Sequence, residues 1–431
     1  DPIVENGERQ VKGACFSYVE PATPAAPRLV HASPEVADLI GLNAEEVNSE
    51  DFLKVFTGAE LIADTKPYAM CYGGHQFGGW AGQLGDGRAI NLAQVEHKGN
   101  TWALQLKGAG KTPYSRGADG LAVLRSSIRE HLCSEAMHHL GVPTSRSLSI
   151  ALTGEQVVRD VLYNGNPAKE KGAVVCRVAQ SFVRFGSFEI HVANQDVETL
   201  RSLADYTIEH FYPEIQGEGK EKYGQFFRAV CGRSLDMVLH WQRVGFVHGV
   251  MNTDNMSIVG DTIDYGPYGW LEGYNHGWTP NTTDSQNKRY RYGQQPEMVF
   301  WNLHKLANAL YPLIEDSVPF VAALEKYKAD FMTGYRDMMK QKLGLANSRP
   351  GDEDLIATLE KSLHATETDM TIFFRNLAKY DAETMLLEGH RFLEPIMEAF
   401  YEPGEVKSDI LELWRTWFQN YHHRLKAEEF K

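Results

Sequence analysis

The sequence has few cysteines, and they form no pattern that would define a fold or a metal site. Only five occur among 431 residues, widely scattered and without a C-x-x-C pair. This excludes a disulfide-stabilised scaffold and a zinc finger, and predicts a reducing compartment. Long apolar runs are lacking as well, since none approaches the roughly 18 residues that span a bilayer. No membrane partner is therefore expected.

An excess of basic residues is also lacking. The chain has 43 Lys and Arg against 57 Asp and Glu, a formal net charge of −14. Non-specific nucleic-acid binding requires clustered basic residues, so no nucleic-acid partner is expected. Nucleotide binding stays open, because it needs only a few local cations. No signal peptide or Arg-rich leader is recognisable, which favours a bacterial cytoplasm, or the mitochondrion if the source is eukaryotic.

Three common catalytic signatures are incomplete or missing. Residues 108–112 (GAGKT) resemble the end of a phosphate-binding P-loop, but Gln105 stands where that motif requires its first glycine. Glu135 and His138 have the spacing of a di-iron ligand pair, yet the sequence has no second such pair. A G-x-S-x-G nucleophile elbow is absent. These observations disfavour a P-loop NTPase, a di-iron protein and an α/β-hydrolase.

The N-terminal half contains a glycine-rich segment followed by strands and a helix. Residues 72–87 read YGGHQFGGWAGQLGDG, and alternating or apolar patterns predict strands over 88–95 and 101–107. Residues 120–140 predict an amphipathic helix with a core-facing apolar stripe. The stripe consists of Leu121, Leu124, Ile128, Leu132, Ala136 and Leu140.

The order of these elements is that of the N-terminal lobe of a protein kinase. There, a lysine at the end of a strand binds ATP phosphates and is held by a glutamate of the following helix. Lys107 ends the second predicted strand and Glu130 lies in the predicted helix. Each residue alone could simply be solvated, but the pair in this order predicts phosphate binding.

The C-terminal half contains a segment with the spacing of a kinase catalytic loop. His248 and Asn255 match the first and last positions of H-R-D-x-x-x-x-N, but Val250 replaces the catalytic aspartate and Asp254 precedes Asn255. Asp264 begins a DYG triplet that resembles D-F-G. Asn255 and Asp264 offer hard oxygen ligands suited to Mg²⁺ or Mn²⁺. The alternative is that both segments are only turns.

The sequence therefore predicts an α+β, protein-kinase-like bilobal fold, with a β-rich N-lobe containing one long helix and a helical C-lobe. The predicted divisions are a helical and irregular N-terminal extension over 1–62, the N-lobe over 63–178 and the C-lobe over 179–431. The C-lobe would contain a catalytic loop at 248–266.

Glycines and arginines outside the kinase pattern point to an unusual placement of the phosphates. Glycine lets backbone amides approach a phosphate, and arginine binds it in a bidentate manner. The glycines and arginines concerned are Gly85, Gly87, Arg88, Gly120, Arg177 and Arg184, and Asp119 directly precedes Gly120.

These segments resemble the selenoprotein O family, also called the YdiU family. The resemblance covers nearly the whole chain and is densest at 72–89, 104–141, 177–190 and 248–272. It implies a pseudokinase fold that binds ATP in a flipped orientation and transfers AMP to Ser, Thr or Tyr hydroxyls of proteins. Protein substrates, including the enzyme itself, are the implied partners. UTP with Mn²⁺ is implied as an alternative for some members.

The resemblance also implies roles for individual residues. Asp254 would be the proton acceptor, Asn255 and Asp264 the metal ligands, and Glu130 the partner of Lys107. The nucleotide would be bound by Gly85, Gly87, Arg88, Lys107, Asp119, Gly120, Arg177, Arg184 and Asp264.

Three other functions remain open at this point. They are a kinase that transfers the γ-phosphate, an inactive ATP-binding scaffold and a simple ATPase. Val250 disfavours the kinase, and the complete pair Asn255 and Asp264 argues against a decayed scaffold.

Overall fold

The computed structural model describes residues 1–161, 164–381 and 383–428 and has a mixed α/β fold. The strands are β1 (Phe16–Tyr18), β2 (Arg28–Ala32), β3 (Tyr68–Met70), β4 (His75–Gln76), β5 (Gly79–Trp80), β6 (Ala89–His97), β7 (Asn100–Lys107), β8 (Ala122–Val123), β9 (Arg146–Arg159), β10 (Ala168–Ala179), β11 (Phe246–Val247) and β12 (Gly269–Trp270). The helices are α1 (Pro34–Leu39), α2 (Ala44–Val47), α3 (Glu50–Val55), α4 (Leu124–His139), α5 (Phe185–Ala193), α6 (Val197–Phe211), α7 (Gly219–Val244), α8 (Gln295–Ile314), α9 (Val318–Lys342), α10 (Asp352–Ala365), α11 (Met370–Leu377) and α12 (Ser408–Lys426). None of the helices in these ranges is long and apolar enough to cross a membrane.

One antiparallel sheet positions the residues of interest. Seven strands follow the order β1-β3-β6-β7-β10-β9-β2, and the short β8 also pairs with β10. The two predicted strands are confirmed as β6 and β7, joined by a tight turn at Lys98 and Gly99, both with positive φ. Across β7 and β10, Gln105 lies opposite Arg177. The sheet thus brings together side chains that are far apart in the sequence.

Strand β7 separates an apolar face from a polar one. Leu104 and Leu106 are buried in an apolar core with residues of β6 and β10. Gln105 and Lys107 lie on the opposite face, because successive side chains of a strand point to opposite sides. Both are nevertheless buried, with only 7% of Lys107 exposed. The second face is therefore a polar interior.

The predicted helix is confirmed as α4, but the face that is buried is not the predicted apolar one. Leu132 is 62% exposed and Ile128 is 37% exposed, so the predicted core-facing stripe is wrong for these residues. The buried side carries Ser127, Glu130 and His131 instead. The reason is electrostatic: Glu130 finds charged partners on the polar face of the sheet, and a carboxylate of this kind is buried only when paired.

Two strands in the first 62 residues correct the expectation of a purely helical and irregular segment. The predicted helical part is present as α1, α2 and α3, but β1 and β2 form the two edges of the large sheet. They have three and five residues, too few for a clear alternating pattern. Their partners, β3 and β9, come from distant parts of the sequence.

The chain folds into two compact units built from interleaved segments. The first contains residues 1–237, 250–266 and 299–325, and it includes the whole large sheet. The second contains residues 238–249, 267–298 and 326–431, with a core that includes Trp414, Trp417 and Phe418. The division into lobes at residues 62 and 178 stays a prediction.

All five cysteines belong to the first unit, and none of them forms a disulfide. Cys71, Cys133, Cys176 and Cys231 are buried, and Cys15 is half-buried. Burial raises the pKa of the Cys15 thiol to about 11 and that of Cys71 to about 12. The absence of disulfides among them agrees with the scattered positions of the cysteines in the sequence.

Candidate functional site

A buried group of charged side chains lies on the polar face of the sheet in the first unit. Glu130, 2% exposed, accepts a short hydrogen bond from Lys107 Nζ at one carboxylate oxygen. Its other oxygen accepts from Arg177 Nε at 2.5 Å. The structure therefore brings Lys107 and Glu130 together and adds Arg177 to the pair.

Asp264 is the second anion of this group and is held by two arginines. Arg177 Nη2 lies 3.0 Å from Asp264 Oδ1, and Arg184 Nη1 pairs with Asp264 Oδ2. The backbone of Asp264 is left-handed, with φ of 59°. A non-glycine residue in this region stores strain of about 1 kcal/mol or more, which is typical of functional sites.

The charges in the group shift one another's ionisation. Burial disfavours the charged form of Asp264, but Arg184, Arg177 and Lys107 outweigh it and hold the pKa of this carboxyl well below its ordinary value. For Lys107, burial prevails over Glu130 and lowers the pKa to about 8. Asp264 is thus an anion at any physiological pH, and Lys107 is still mostly a cation at pH 7.

Arg184 also joins the glycine-rich segment to the candidate catalytic loop. Its Nη1 donates to the Asp254 carbonyl oxygen at 2.7 Å. The guanidinium lies over the Tyr72 ring at 4.6 Å and near Asp86 Oδ1 at 3.8 Å. A single buried arginine therefore contacts both segments.

Asp254 lies in the short 3-10 turn Thr253–Asn255 and is only 8% exposed. Gln76 Nε2 donates to Asp254 Oδ2 at 3.1 Å, while Asp254 Oδ1 has no hydrogen-bond partner. Burial raises the pKa of Asp254 to about 6, although the hydrogen bond from Gln76 opposes the rise. The carboxylate thus has one oriented oxygen and one oxygen available to a further donor.

The β4–β5 hairpin is fixed on this turn by its backbone as well. His75 N donates to Thr253 Oγ1 at 2.7 Å, and Phe77 N donates to Asn252 Oδ1 at 3.3 Å. Just before the hairpin, a Cβ atom on Gly74 would lie 2.7 Å from Asp254 Oδ1, closer than any side chain tolerates. The glycine-rich segment therefore packs directly on the candidate proton acceptor.

The candidate metal ligands offer suitable atoms. Asn255 Nδ2 donates to the Val250 carbonyl at 2.9 Å, which assigns Asn255 Oδ1 as its remaining acceptor. Together with the Asp264 carboxylate this makes a set of hard oxygens, which fits Mg²⁺ or Mn²⁺. Within the described ranges, no three His, Cys, Asp or Glu side chains are grouped to hold a metal.

Gly85 and Gly87 pack against the loop that follows β7. A Cβ atom on Gly85, whose φ is 73°, would lie 2.3 Å from Tyr114 Cγ, and one on Gly87 would lie 2.7 Å from the Tyr114 carbonyl oxygen. Packing alone thus requires glycine at both positions. Arg88 follows them and is exposed. The phosphate contacts predicted for these three residues stay predictions.

Asp119 and Gly120 lie in the loop between Lys107 and α4, and their contacts differ from the buried group. Asp119 pairs with Arg159 at 2.7 Å. Gly120 approaches Gly110 so closely that a Cβ atom would lie 2.2 Å from the Gly110 carbonyl oxygen. Among the described contacts, neither residue is joined to Lys107, Arg177 or Arg184.

Some residues of the site were not predicted. Gln105 accepts from Arg177 Nη1 at 3.0 Å and shares the polar face of β7 with Lys107, so the alternation of that strand could have identified it. No local sequence pattern could have identified Gln76, because its partner Asp254 is 178 residues away. His248, which anchored the motif, belongs to the second unit, where its ring stacks on Trp241 at 5.5 Å.

Known proteins with similar sequences define the class of this enzyme. A protein of Flavobacterium johnsoniae is 60% identical over 428 residues, which cover 99% of this chain and 81% of that protein. Proteins of Rhodopirellula baltica and of an Azoarcus species are each 51% identical, over 440 and 429 residues, covering 100% and 99% of this chain and 82% and 81% of theirs. Each is named protein nucleotidyltransferase YdiU. The chain is thus an enzyme of the protein nucleotidyltransferase class.

The family is defined more closely by a sequence model described as "Protein adenylyltransferase SelO", which matches residues 6–431. The chain therefore belongs to the SelO family. This confirms the resemblance that the glycine-rich segment, the helix with Glu130 and the segment with Asp264 indicate.

Proposed function

We propose that the enzyme transfers AMP from ATP to Ser, Thr and Tyr hydroxyls of proteins, itself included, and releases pyrophosphate. The observation that carries the proposal is the convergence of Lys107, Arg177 and Arg184 on the carboxylates of Glu130 and Asp264. Buried cations in this number suit a polyphosphate. UTP is proposed as a second nucleotide, because its phosphates would meet the same cations. The bacterial relatives support a bacterial cytoplasmic location.

The proposed architecture is a kinase-like bilobal fold, with the N-lobe at 63–178 and the C-lobe at 179–431. The succession of β6, β7 and α4, with Lys107 on the strand bonded to Glu130 on the helix, supports it. In kinases the same pair holds the phosphates. Here the buried arginines Arg177 and Arg184 would bind the β- and γ-phosphates of a flipped nucleotide.

An exchange of ion pairs would accompany nucleotide binding. In the structure Arg177 and Arg184 neutralise Asp264. With ATP bound, both arginines would turn to phosphate oxygens, and Asp264 and Asn255 would serve as metal ligands. A bound Mg²⁺ or Mn²⁺ supplies Lewis-acid neutralisation of phosphate charge. Lys107, fixed by Glu130, would stabilise the charge that develops on the departing pyrophosphate.

Asp254 would receive the acceptor hydroxyl. The hydroxyl oxygen bonds to the α-phosphorus while the bond from that phosphorus to the β-bridging oxygen breaks. The hydroxyl proton passes to Asp254, and pyrophosphate leaves with the bonding electrons. Asp254 Oδ1, which is buried and has no hydrogen-bond partner, is the atom available to that hydroxyl. Orientation of the hydroxyl would contribute at least as much as removal of its proton.

Labelled ATP tests the proposal. The enzyme is incubated with Mg²⁺ or Mn²⁺ and with ATP labelled at the α-phosphate in one reaction and at the γ-phosphate in another. Protein-bound label, on the enzyme and on added proteins, is then measured. We expect label from the α-position only, with a mass increase of about 329 Da. Label from the γ-position only would establish a kinase instead, and label from neither would leave a binding scaffold or an ATPase.

A further inference from the structure

A cavity of about 260 Å³ lies in the first unit beside the β4–β5 hairpin. Its walls include His75 and Trp80 of the hairpin, Glu189 of α5 and Lys305 of α8. None of these residues belongs to the proposed nucleotide site. The cavity is large enough for one long side chain.

Glu189 gives this cavity a specific electrostatic character. It is only 4% exposed, and one carboxylate oxygen lies 2.6 Å from His75 Nδ1. The other oxygen, Oε2, is buried without a hydrogen-bond partner. A buried carboxylate oxygen without a donor is costly, so its presence points to a donor that arrives from outside the chain.

Two aromatic rings lie beside His75, the partner of this carboxylate, and one of them, Trp80, also lines the cavity. The His75 ring lies 5.2 Å from the Trp80 ring and 5.6 Å from the Trp301 ring. The Lys305 ammonium lies 4.7 Å from the centre of the Trp301 ring. Indole faces attract cations, and one of them already holds an ammonium group here. A carboxylate next to indole rings is the combination that recognises a cationic side chain.

The cavity is close to the proposed acceptor site. Helix α5 begins against the turn of Asp254, so that a Cβ atom on Gly186 would lie 3.5 Å from Asp254 Cα. Glu189 lies three residues further along α5, about 4.5 Å in axial rise. On the hairpin, His75 lines the cavity and the next residue, Gln76, binds Asp254. These two steps add to about 8 Å, a separation that an extended polypeptide covers in two to three residues at about 3.4 Å each.

We propose that this cavity binds an arginine or lysine of the acceptor protein, and that this residue lies within about three residues of the modified hydroxyl. The cavity is called the basic-residue subsite below. This inference rests on the proposed function, because it assumes a protein hydroxyl at Asp254. The net charge of −14 favours a basic acceptor segment over an acidic one. Arginine fits best, since its guanidinium can stack on indole while donating to Glu189.

Two matched peptides test this inference. Both contain the same acceptor serine, and three residues away one has arginine while the other has citrulline, its uncharged near-isostere. For the unaltered enzyme we expect kcat/KM for AMP transfer to be roughly tenfold higher with the arginine peptide. In Glu189→Gln the ratio should fall to about one. In Glu198→Gln, which removes a negative charge from an exposed position on α6, the ratio should persist.

A second variant guards against misfolding of Glu189→Gln. Trp80 is 42% exposed, so Trp80→Leu should unfold at nearly the same temperature and still lower the arginine preference several-fold. Equal rates for both peptides in the unaltered enzyme would overturn the inference, as would a preference that survives in Glu189→Gln. A third peptide carries phenylalanine at the same position, and a preference for it over the arginine peptide would also overturn the inference, since the occupant would then be an uncharged aromatic side chain.

Failure of the inference and failure of the proposed function remain distinguishable. Binding of the fluorescent arginine and citrulline peptides is measured by anisotropy, with no transfer required. If no AMP reaches any peptide or the enzyme itself, the proposed function fails, while a tenfold tighter binding of the arginine peptide still supports the subsite. Equal binding of both peptides refutes the subsite even if AMP transfer is observed.

Discussion

Asp254 and Asp264 lie ten residues apart in one segment and have opposite environments. Both carboxylate oxygens of Asp264 are held by arginines, and the pKa of Asp264 lies far below its ordinary value. Asp254 is more deeply buried and its side chain receives only an amide hydrogen bond from Gln76, and its pKa rises to about 6. Burial raises the pKa of both carboxyls, so the low pKa of Asp264 must come from its cationic partners.

The comparison separates two functional requirements. The end of the site around Asp264 is balanced in charge and would exchange its arginine partners for a metal when phosphates arrive. At the other end, Asp254 Oδ1 has no hydrogen-bond partner, and under the proposed function an incoming hydroxyl would supply one. Four substitutions would break or sharpen this comparison.

Asp264→Asn should have the largest effect. It removes the anionic ligand and leaves Arg177 and Arg184 facing an uncharged amide, so AMP transfer should fall by about 10³-fold or more. Label from α-labelled ATP measures the loss, and thermal unfolding in parallel confirms that the protein is folded. Transfer within tenfold of the unaltered enzyme would refute the role of Asp264 as a metal ligand.

Asp254→Asn should have the next largest effect and a different kinetic signature. Loss of the proton acceptor should lower kcat about 10²-fold. KM for ATP should stay nearly the same, because the arginines and Lys107 are untouched. A rise in KM without a fall in kcat would instead place Asp254 in nucleotide binding.

Gln76→Ala should have a smaller effect on the same carboxylate. It removes the hydrogen bond that orients Asp254 Oδ2, so kcat should fall by about tenfold. Gln83→Ala is a matched control in the same glycine-rich segment, because the Gln83 amide binds Arg9 O and Val11 N instead. An equal loss of kcat in both variants would mean that the effect comes from loosening of the segment.

Asp261→Asn should change stability without changing transfer. Burial raises the pKa of Asp261 to about 6, and Arg233 offsets it only in part. The folded chain therefore binds a proton that the unfolded chain, with an ordinary pKa near 4, has already lost. Asp261 thus makes the free energy of unfolding fall by roughly 3 kcal/mol at most as pH rises from about 4 to 6. Chemical unfolding at pH 4 and pH 7 should show that Asp261→Asn removes this fall and stabilises the protein at pH 7.

The sequence predicted the elements that depend on local patterns. The alternation of β7 and the position of Glu130 in the next helix were sufficient to expect the pair of Lys107 and Glu130, which the structure forms. The pairing of Arg184 with Asp264 was not predictable in the same way, since 80 residues separate them and only the folded chain brings them together.

Burial of α4 shows why periodicity can mislead. The apolar residues Ile128 and Leu132 form a regular stripe, yet both are exposed. The face with Glu130 is buried because ion pairs with Lys107 and Arg177 compensate for the loss of water. Periodicity reports only apolar residues, so it could not weigh the ionic partners that another part of the chain provides.

The burial of the thiols gives this enzyme an internal reporter of unfolding. A mild alkylating reagent should modify Cys15 at most in the native state, because Cys71, Cys133, Cys176 and Cys231 are closed to solvent. Since all of them belong to the first unit, the number of modified sulfurs counts the opening of the sheet-bearing unit alone. Mass spectrometry of intact protein could thus follow the loosening of that unit during turnover without any introduced label.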